Sequence, residues 1–289
     1  MKIRELFDDK VNILRKNGKV TIVEVDNKKY AVKESDKDIC SIYKHLESRD
    51  FKCFPKLLFR KYKYNIFEYI EEYDSRVEEK GYDMIYLLSL LHNKTTYYKE
   101  MDKVEYKSIF ENISNEINRR VNYYNNLIDK IEIHMFNSPS EYLIARNISK
   151  ILGALEYSKN SIIKWYDLVK ENAKKRVVTL YNNIDLNHII RNKDVYLISW
   201  DKVTSGVPIY DLYNFYIRYN DIFDFENLIK RYEEKYPLKE EEKILFFTLI
   251  SIPNMIILNE NEIDNCKKLK KMIDTLYKSE MLISKFENK

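Results

Sequence analysis

The sequence predicts an α+β protein built as two unequal lobes. Five short apolar runs separated by turn residues crowd the start of the chain, and hydrophobic residues at three- and four-residue spacing govern the remainder. With 289 residues, 45% hydrophobic and 33% charged, the chain is long enough to bury a sizeable core and too apolar to remain disordered.

Residues 11–15 form the first strand. Asn17-Gly18 follows as a hairpin signal, because these two residue types adopt the positive φ of a tight turn, and 20–25 alternates after it. Asp26-Asn27 marks a second turn before a strand at 29–33. Ser35 is placed to cap a helix whose buried face holds Ile39, Ile42, Tyr43 and Leu46. Phe54-Pro55 stops that region, and strands at 57–60 and 65–70 complete a five-stranded lobe, residues 1–72, with a hinge over 67–73.

Residues 73–289 read as the helical lobe. A compact apolar segment over 84–91 ends in His92-Asn93. Ile109, Ile113, Ile117, Val121, Tyr124, Ile128 and Ile131 fall on one face of a long helix. Ser138-Pro139-Ser140-Glu141 is a helix start, with a capping hydroxyl, proline at the first helical position and glutamate three residues after the cap. Ile144, Ile148, Ile151, Leu152 and Leu155 form that helix's buried stripe. A small hairpin joins 189–190 to 194–198, and two further helices span 240–251 and 261–277.

Composition narrows the function. Cys40, Cys53 and Cys266 are odd in number and widely spaced, which argues against a disulfide framework or zinc site. A net charge of +4 spread over 50 basic and 46 acidic residues gives no basic stripe, so nucleic acid is not an expected partner. No apolar run approaches the roughly 20 residues of a membrane span, and the N-terminus is too acidic for a secretion signal, so a cytoplasmic protein is expected.

Several segments share an order known from one group of enzymes. They are Tyr30-Ala31-Val32-Lys33, the helix end Leu88–Leu91-His92-Asn93-Lys94-Thr95, the stretch from Tyr181 to Asp201, and Gly206-Val207-Pro208-Ile209-Tyr210-Asp211-Leu212. Together they resemble the aminoglycoside phosphotransferase and choline kinase branch of the protein-kinase-like fold. Within it they resemble most the kinase-like spore-coat proteins of CotS type from Gram-positive spore formers. The resemblance covers nearly the whole chain and implies a bilobal protein-kinase-like fold. It also implies a phosphate-holding role for Lys33 and a structural role for Asp211 in bracing the catalytic loop.

The same resemblance implies a degenerate catalytic site. Aligning the family's catalytic loop on Ile189-Ile190 puts Tyr181 at its histidine, Asn183 at its catalytic aspartate and His188 at its metal-binding asparagine. Its Ile-Asp-Trp-Glu motif falls on Ile198-Ser199-Trp200-Asp201, so Ser199 replaces the metal-binding aspartate. Magnesium requires hard oxygen ligands, usually carboxylates, which Ser199 and His188 do not supply. Asn183 cannot accept a proton from an attacking hydroxyl, and loss of a general base costs about 10²–10⁴ in rate. The first hairpin has one glycine, Gly18, between Lys16 and Lys19, in place of a glycine-rich phosphate cradle. The helix glutamate expected to pair with Lys33 falls near Ile39, leaving Asp36 or Asp38 as substitutes.

Two readings follow. In the first, the chain is a pseudokinase that needs no cofactor and acts as a binding or scaffold protein on partner proteins. An unidentified small-molecule ligand and a place in spore-coat assembly, with spore-associated localisation, belong to this reading. In the second, it is an active ATP- and magnesium-dependent phosphotransferase on a small molecule, with Asp185 as base and Asp201 as metal ligand. Those two residues lie sixteen apart, as do Asn183 and Ser199. A two-residue shift along a strand displaces a side chain by about 6–7 Å. Against these stand blander readings: Lys33 as a solvated strand residue, and His188 as a satisfied polar contact.

Overall fold

The structure, a computed structural model, describes residues 3–7 and 10–287. Ten strands and eight α-helices follow one another along the described chain. The sheet strands are β1 (Asn12–Asn17), β2 (Val20–Val25), β3 (Lys28–Glu34), β4 (Leu57–Lys61) and β5 (Tyr64–Glu68), with α1 (Cys40–Ser48) between β3 and β4. After α2 (Val77–Thr95) come β6 (Tyr97–Glu100), α3 (Lys103–Ile133), α4 (Pro139–Val169) and β7 (Lys174–Leu180). The hairpin β8 (Ile189–Arg191) and β9 (Val195–Leu197) precedes β10 (Thr204–Gly206). The chain closes with α5 (Ile209–Tyr219), α6 (Phe225–Lys235), α7 (Glu240–Ser251) and α8 (Glu262–Glu287).

These elements form two compact units. The first comprises Met1–Thr96, Val178–Gly206 and Glu234–Tyr236; the second Tyr97–Val177, Val207–Glu233 and Pro237–Lys289.

In the first unit the five predicted strands form one antiparallel sheet in the order β1-β2-β3-β5-β4. Gly18 takes φ +56° in the first hairpin, the left-handed conformation a tight turn needs. One sheet face packs Leu6, Val11, Val23, Val25, Val32, Tyr64 and Ile66 into a core. The other carries Ala31, Lys33, Asn65 and Phe67, and α1 lies over it, with the Tyr43 ring 4.4 Å from Phe54 and 5.9 Å from Phe67. Helix α1 starts later than Ser35 predicts. The Ser35 hydroxyl accepts from the Lys37 amide in a local turn, and Asp38 accepts from Cys40 at 2.9 Å at the true helix start. Helix α2 buries Met84, Ile85, Leu87, Leu88 and Leu91, and its last residue, Thr95, accepts a hydrogen bond from the Thr179 amide at 3.0 Å. That bond fixes the strand leading into the loop at 181–188, while Val178–Leu180 pairs with β10.

The second unit is mainly helical. Helices α3 and α4, 31 residues each, pack together, and α4 packs in turn against α7 and α8. The predicted capping box at Ser138 and Glu141 is present at the start of α4. Ile144, Ile151, Leu155 and Ile162 are fully buried along it, each contributing about 1.5–3 kcal/mol. Helix α8 continues past the predicted end at Tyr277, because Leu282 and Ile283 extend its buried stripe. The β6–β7 pairing, Tyr97 opposite Val177 through Glu100 opposite Lys174, has no counterpart among the sequence expectations.

Candidate functional site: a cleft of the first unit

The loop after β7 is held from beneath by aromatic side chains. Tyr181 is fully buried and its hydroxyl donates to the Ile198 carbonyl at 2.6 Å. Its ring lies 5.2 Å from Trp200, which also meets Phe51 and Phe54 edge-on and donates through Nε1 to the Leu197 carbonyl at 2.8 Å. Leu197 in turn donates its amide to the Cys53 carbonyl at 2.8 Å. The loop and the segment after β9 are thus fixed to each other by buried rings and backbone bonds.

On that base the structure brings Asn183, His188 and Ser199 together. Asn183 Nδ2 donates to the Ser199 carbonyl at 2.8 Å. His188 Nδ1 lies 2.8 Å from the Asn183 carbonyl, and since a carbonyl only accepts, this nitrogen carries the ring proton. The Ile198 amide donates to the His188 carbonyl at 3.0 Å. Ser199 adopts φ +64°, a left-handed conformation uncommon for a residue with a Cβ. Asp185 is engaged locally: its Oδ1 accepts from the Asn187 amide at 2.9 Å and caps the short 3-10 turn Leu186–His188.

Lys33 and Asp201 form the charged centre. Lys33 Nζ lies 2.5 Å from Asp201 Oδ1, with 16% and 32% of the two side chains exposed. Lys37, which the sequence did not single out, donates to the Asp201 backbone carbonyl at 2.6 Å. Burial works against the Asp201 carboxylate, but the hydrogen bond and charge of Lys33 outweigh it and hold the carboxyl below its ordinary value. The helix partners expected for Lys33 are not used. Asp38 pairs with Arg60 at 3.2 Å, and Ile39 is buried at the helix start. Asp211 lies in the second unit, fully buried in the first turn of α5.

Beside the ion pair is a cavity of about 150 Å³. Val20, Ile22, Ala31 and Phe67 of the sheet form one wall, Ile190 and Ile198 the other, and residues 68–70 an edge. A space of this size holds about one small ring. Sequence reasoning missed these wall residues as a group, since they come from three separate stretches of chain.

The donor set fits magnesium poorly. Ser199 offers a neutral hydroxyl, His188 a nitrogen, and the Asp201 carboxylate already faces an ammonium. Among the described residues no group of three or more His, Cys, Asp or Glu side chains is arranged to hold a metal ion. No helix among them is long and apolar enough to cross a membrane.

No protein-family model and no curated protein matches the sequence. The fold, however, has solved counterparts. An aminoglycoside phosphotransferase from Alicyclobacillus acidocaldarius superposes with a TM-score of 0.68 at 10% identity, over 96% of this chain and 93% of the other. A spectinomycin phosphotransferase in its AMP-bound complex gives a TM-score of 0.50 at 14% identity, over 93% and 92%. The choline kinase of Streptococcus pneumoniae reaches 0.47 at 16% identity over 94% and 96%, below the level that supports a shared fold. With its antiparallel sheet preceding a mainly helical chain, the protein has the α+β kinase-like fold of the aminoglycoside phosphotransferases.

Proposed function

We propose that the protein is a pseudokinase, a kinase-fold protein that has given up phosphoryl transfer and acts by binding. The observation that carries this reading is the internal engagement of the cleft's polar groups. Lys33 is held by Asp201 at 2.5 Å, and Asn183 donates to the Ser199 backbone where a base and a metal ligand would be needed. Phosphoryl transfer depends on cations that neutralise the phosphate oxygens and on a positioned base. Here the strand cation is already neutralised, and an amide stands at the base position. In this reading the protein works through partner proteins or a small ligand in the cleft. The resemblance to spore-coat proteins makes coat components the first partners to test.

The second reading, an active phosphotransferase using Asp185 and Asp201, draws support from one fact: Asp201 is the carboxylate that meets Lys33. Thermal melts with ATP, with and without magnesium, separate the two readings. A ligand selective for the folded state raises Tm by mass action. Pseudokinase behaviour gives no magnesium-dependent rise. A rise of several degrees that requires both ATP and magnesium would overturn it.

A further inference from the structure

Asn65 on β5 is fully buried, yet neither its amide nitrogen nor its amide oxygen meets a hydrogen-bonding partner among the described residues. A buried amide left in this state is destabilising, so its presence between the buried Tyr64, Ile66 and Phe67 of the same strand calls for a reason. Its neighbours supply one. Asn65 pairs directly with Lys33 on β3 and with Arg60 on β4, and directly paired residues project to the same face of a sheet. That face is the cavity face, since Ala31 and Phe67 pair one step along the same strands and line the cavity. Cβ atoms of such a pair lie roughly 5 Å apart, well within the reach of a lysine side chain.

Arg60 is committed elsewhere, to Asp38 and to the carbonyls of Asp36 and Tyr62. Lys33 is not: its ammonium has three donors, and Asp201 Oδ1 takes one of them. A carboxylate outcompetes a neutral amide for an ammonium, which explains the pairing observed. Once the carboxylate is occupied or removed, a mostly buried ammonium needs another acceptor. Asn65 Oδ1 is the one across the ladder.

We propose that Asn65 is a second seat for the Lys33 ammonium. Lys33 pairs with Asp201 at rest and retracts onto Asn65 when an organic ammonium group takes the Asp201 carboxylate. Asn65 is thus a positioning residue that acts through Lys33, and its role does not depend on whether the cleft transfers phosphate.

A double-mutant cycle on the full chain tests this. In the wild-type background Asn65→Leu leaves Tm unchanged or raises it by about 2 °C, because it removes an unsatisfied amide. In Asp201→Ala the same substitution removes the seat in use and lowers Tm by about 2–4 °C. The same effect in both backgrounds overturns the proposal. A second readout follows Lys33 itself, as its rate of reductive methylation measured by mass spectrometry. Asp201→Ala alone leaves the rate close to wild type, while adding Asn65→Leu raises it severalfold. A full rise in Asp201→Ala alone overturns the proposal as well. Should Asn65→Leu fold poorly, Asn65→Asp gives the complementary test. A carboxylate in the second seat draws Lys33 away, so that Asp201→Ala loses its cost in that background; an unchanged cost counts against the idea.

Discussion

Two ion pairs, one in each compact unit, show how the same chemistry serves different ends. In the helical unit Arg176 donates to both oxygens of Glu242 and to the Pro237 carbonyl, and Glu242 is only 4% exposed. In the sheet unit Lys33 meets Asp201 through a single donor, on side chains that still touch solvent. A planar guanidinium held at three points cannot turn without losing all of them. An ammonium on a four-carbon stem can swing to another acceptor at small cost. The first pair is a fixture of the fold, and the second, on the proposal above, is a contact that a ligand can open.

The largest expected effect breaks the fixture. Glu242→Ala strands a mostly buried guanidinium and is expected to cost about 3–5 kcal/mol, a drop of roughly 10 °C in Tm in a thermal melt. A cost below about 1 kcal/mol would remove the distinction between the pairs.

Asp201→Ala comes next, at about 1 kcal/mol in a denaturant titration, because the pair still touches solvent and, on the proposal above, Lys33 can turn to Asn65. That cost should shrink in high salt, whereas the cost of Glu242→Ala should persist. It should also depend on pH in one direction. The folded carboxyl of Asp201 lies below its ordinary value of 3.8, so the pair's contribution is complete above that pH and is lost as pH falls beneath it. Wild type and Asp201→Ala should therefore converge in stability in strong acid, and a constant difference across that range would contradict the pairing.

The smallest effect sharpens the cleft side alone. Ser199→Gly relieves a left-handed residue and should stabilise by about 0.5 kcal/mol, the strain relief exceeding the added freedom of the unfolded chain. A destabilisation would mean that the Ser199 side chain does more than occupy the turn.

What the sequence disclosed follows the range of the forces involved. The five strands and the start of α4 were legible because turn residues and capping hydroxyls act over a few positions, as Asn17-Gly18 and Ser138-Glu141 do. The start of α1 was misplaced because Ser35 and Asp38 both offer local acceptors, and only the second sits at the helix. Strand β6 escaped notice because it is short and largely exposed, and its partner lies far along the chain at Lys174–Val177. In the site, the residue types at Asn183, His188 and Ser199 could be read directly, and with them the poor prospects for magnesium. Lys33's partner could not, since Asp201 lies 168 residues away. Asn65 left a faint trace that was available all along: one amide among Tyr64, Ile66 and Phe67 in a strand buried over most of its length.

The aromatic floor of the cleft has an optical consequence. The chain contains two tryptophans, and the structure distributes them one to each unit. Trp165 is buried on α4 beside Tyr106, while Trp200 is buried beneath the cleft and immediately precedes Asp201. In Trp165→Phe the remaining emission therefore reports the sheet unit alone. Its unfolding can be followed separately from that of the second unit, and a molecule entering beside Lys33 should announce itself by a change in intensity, without any label.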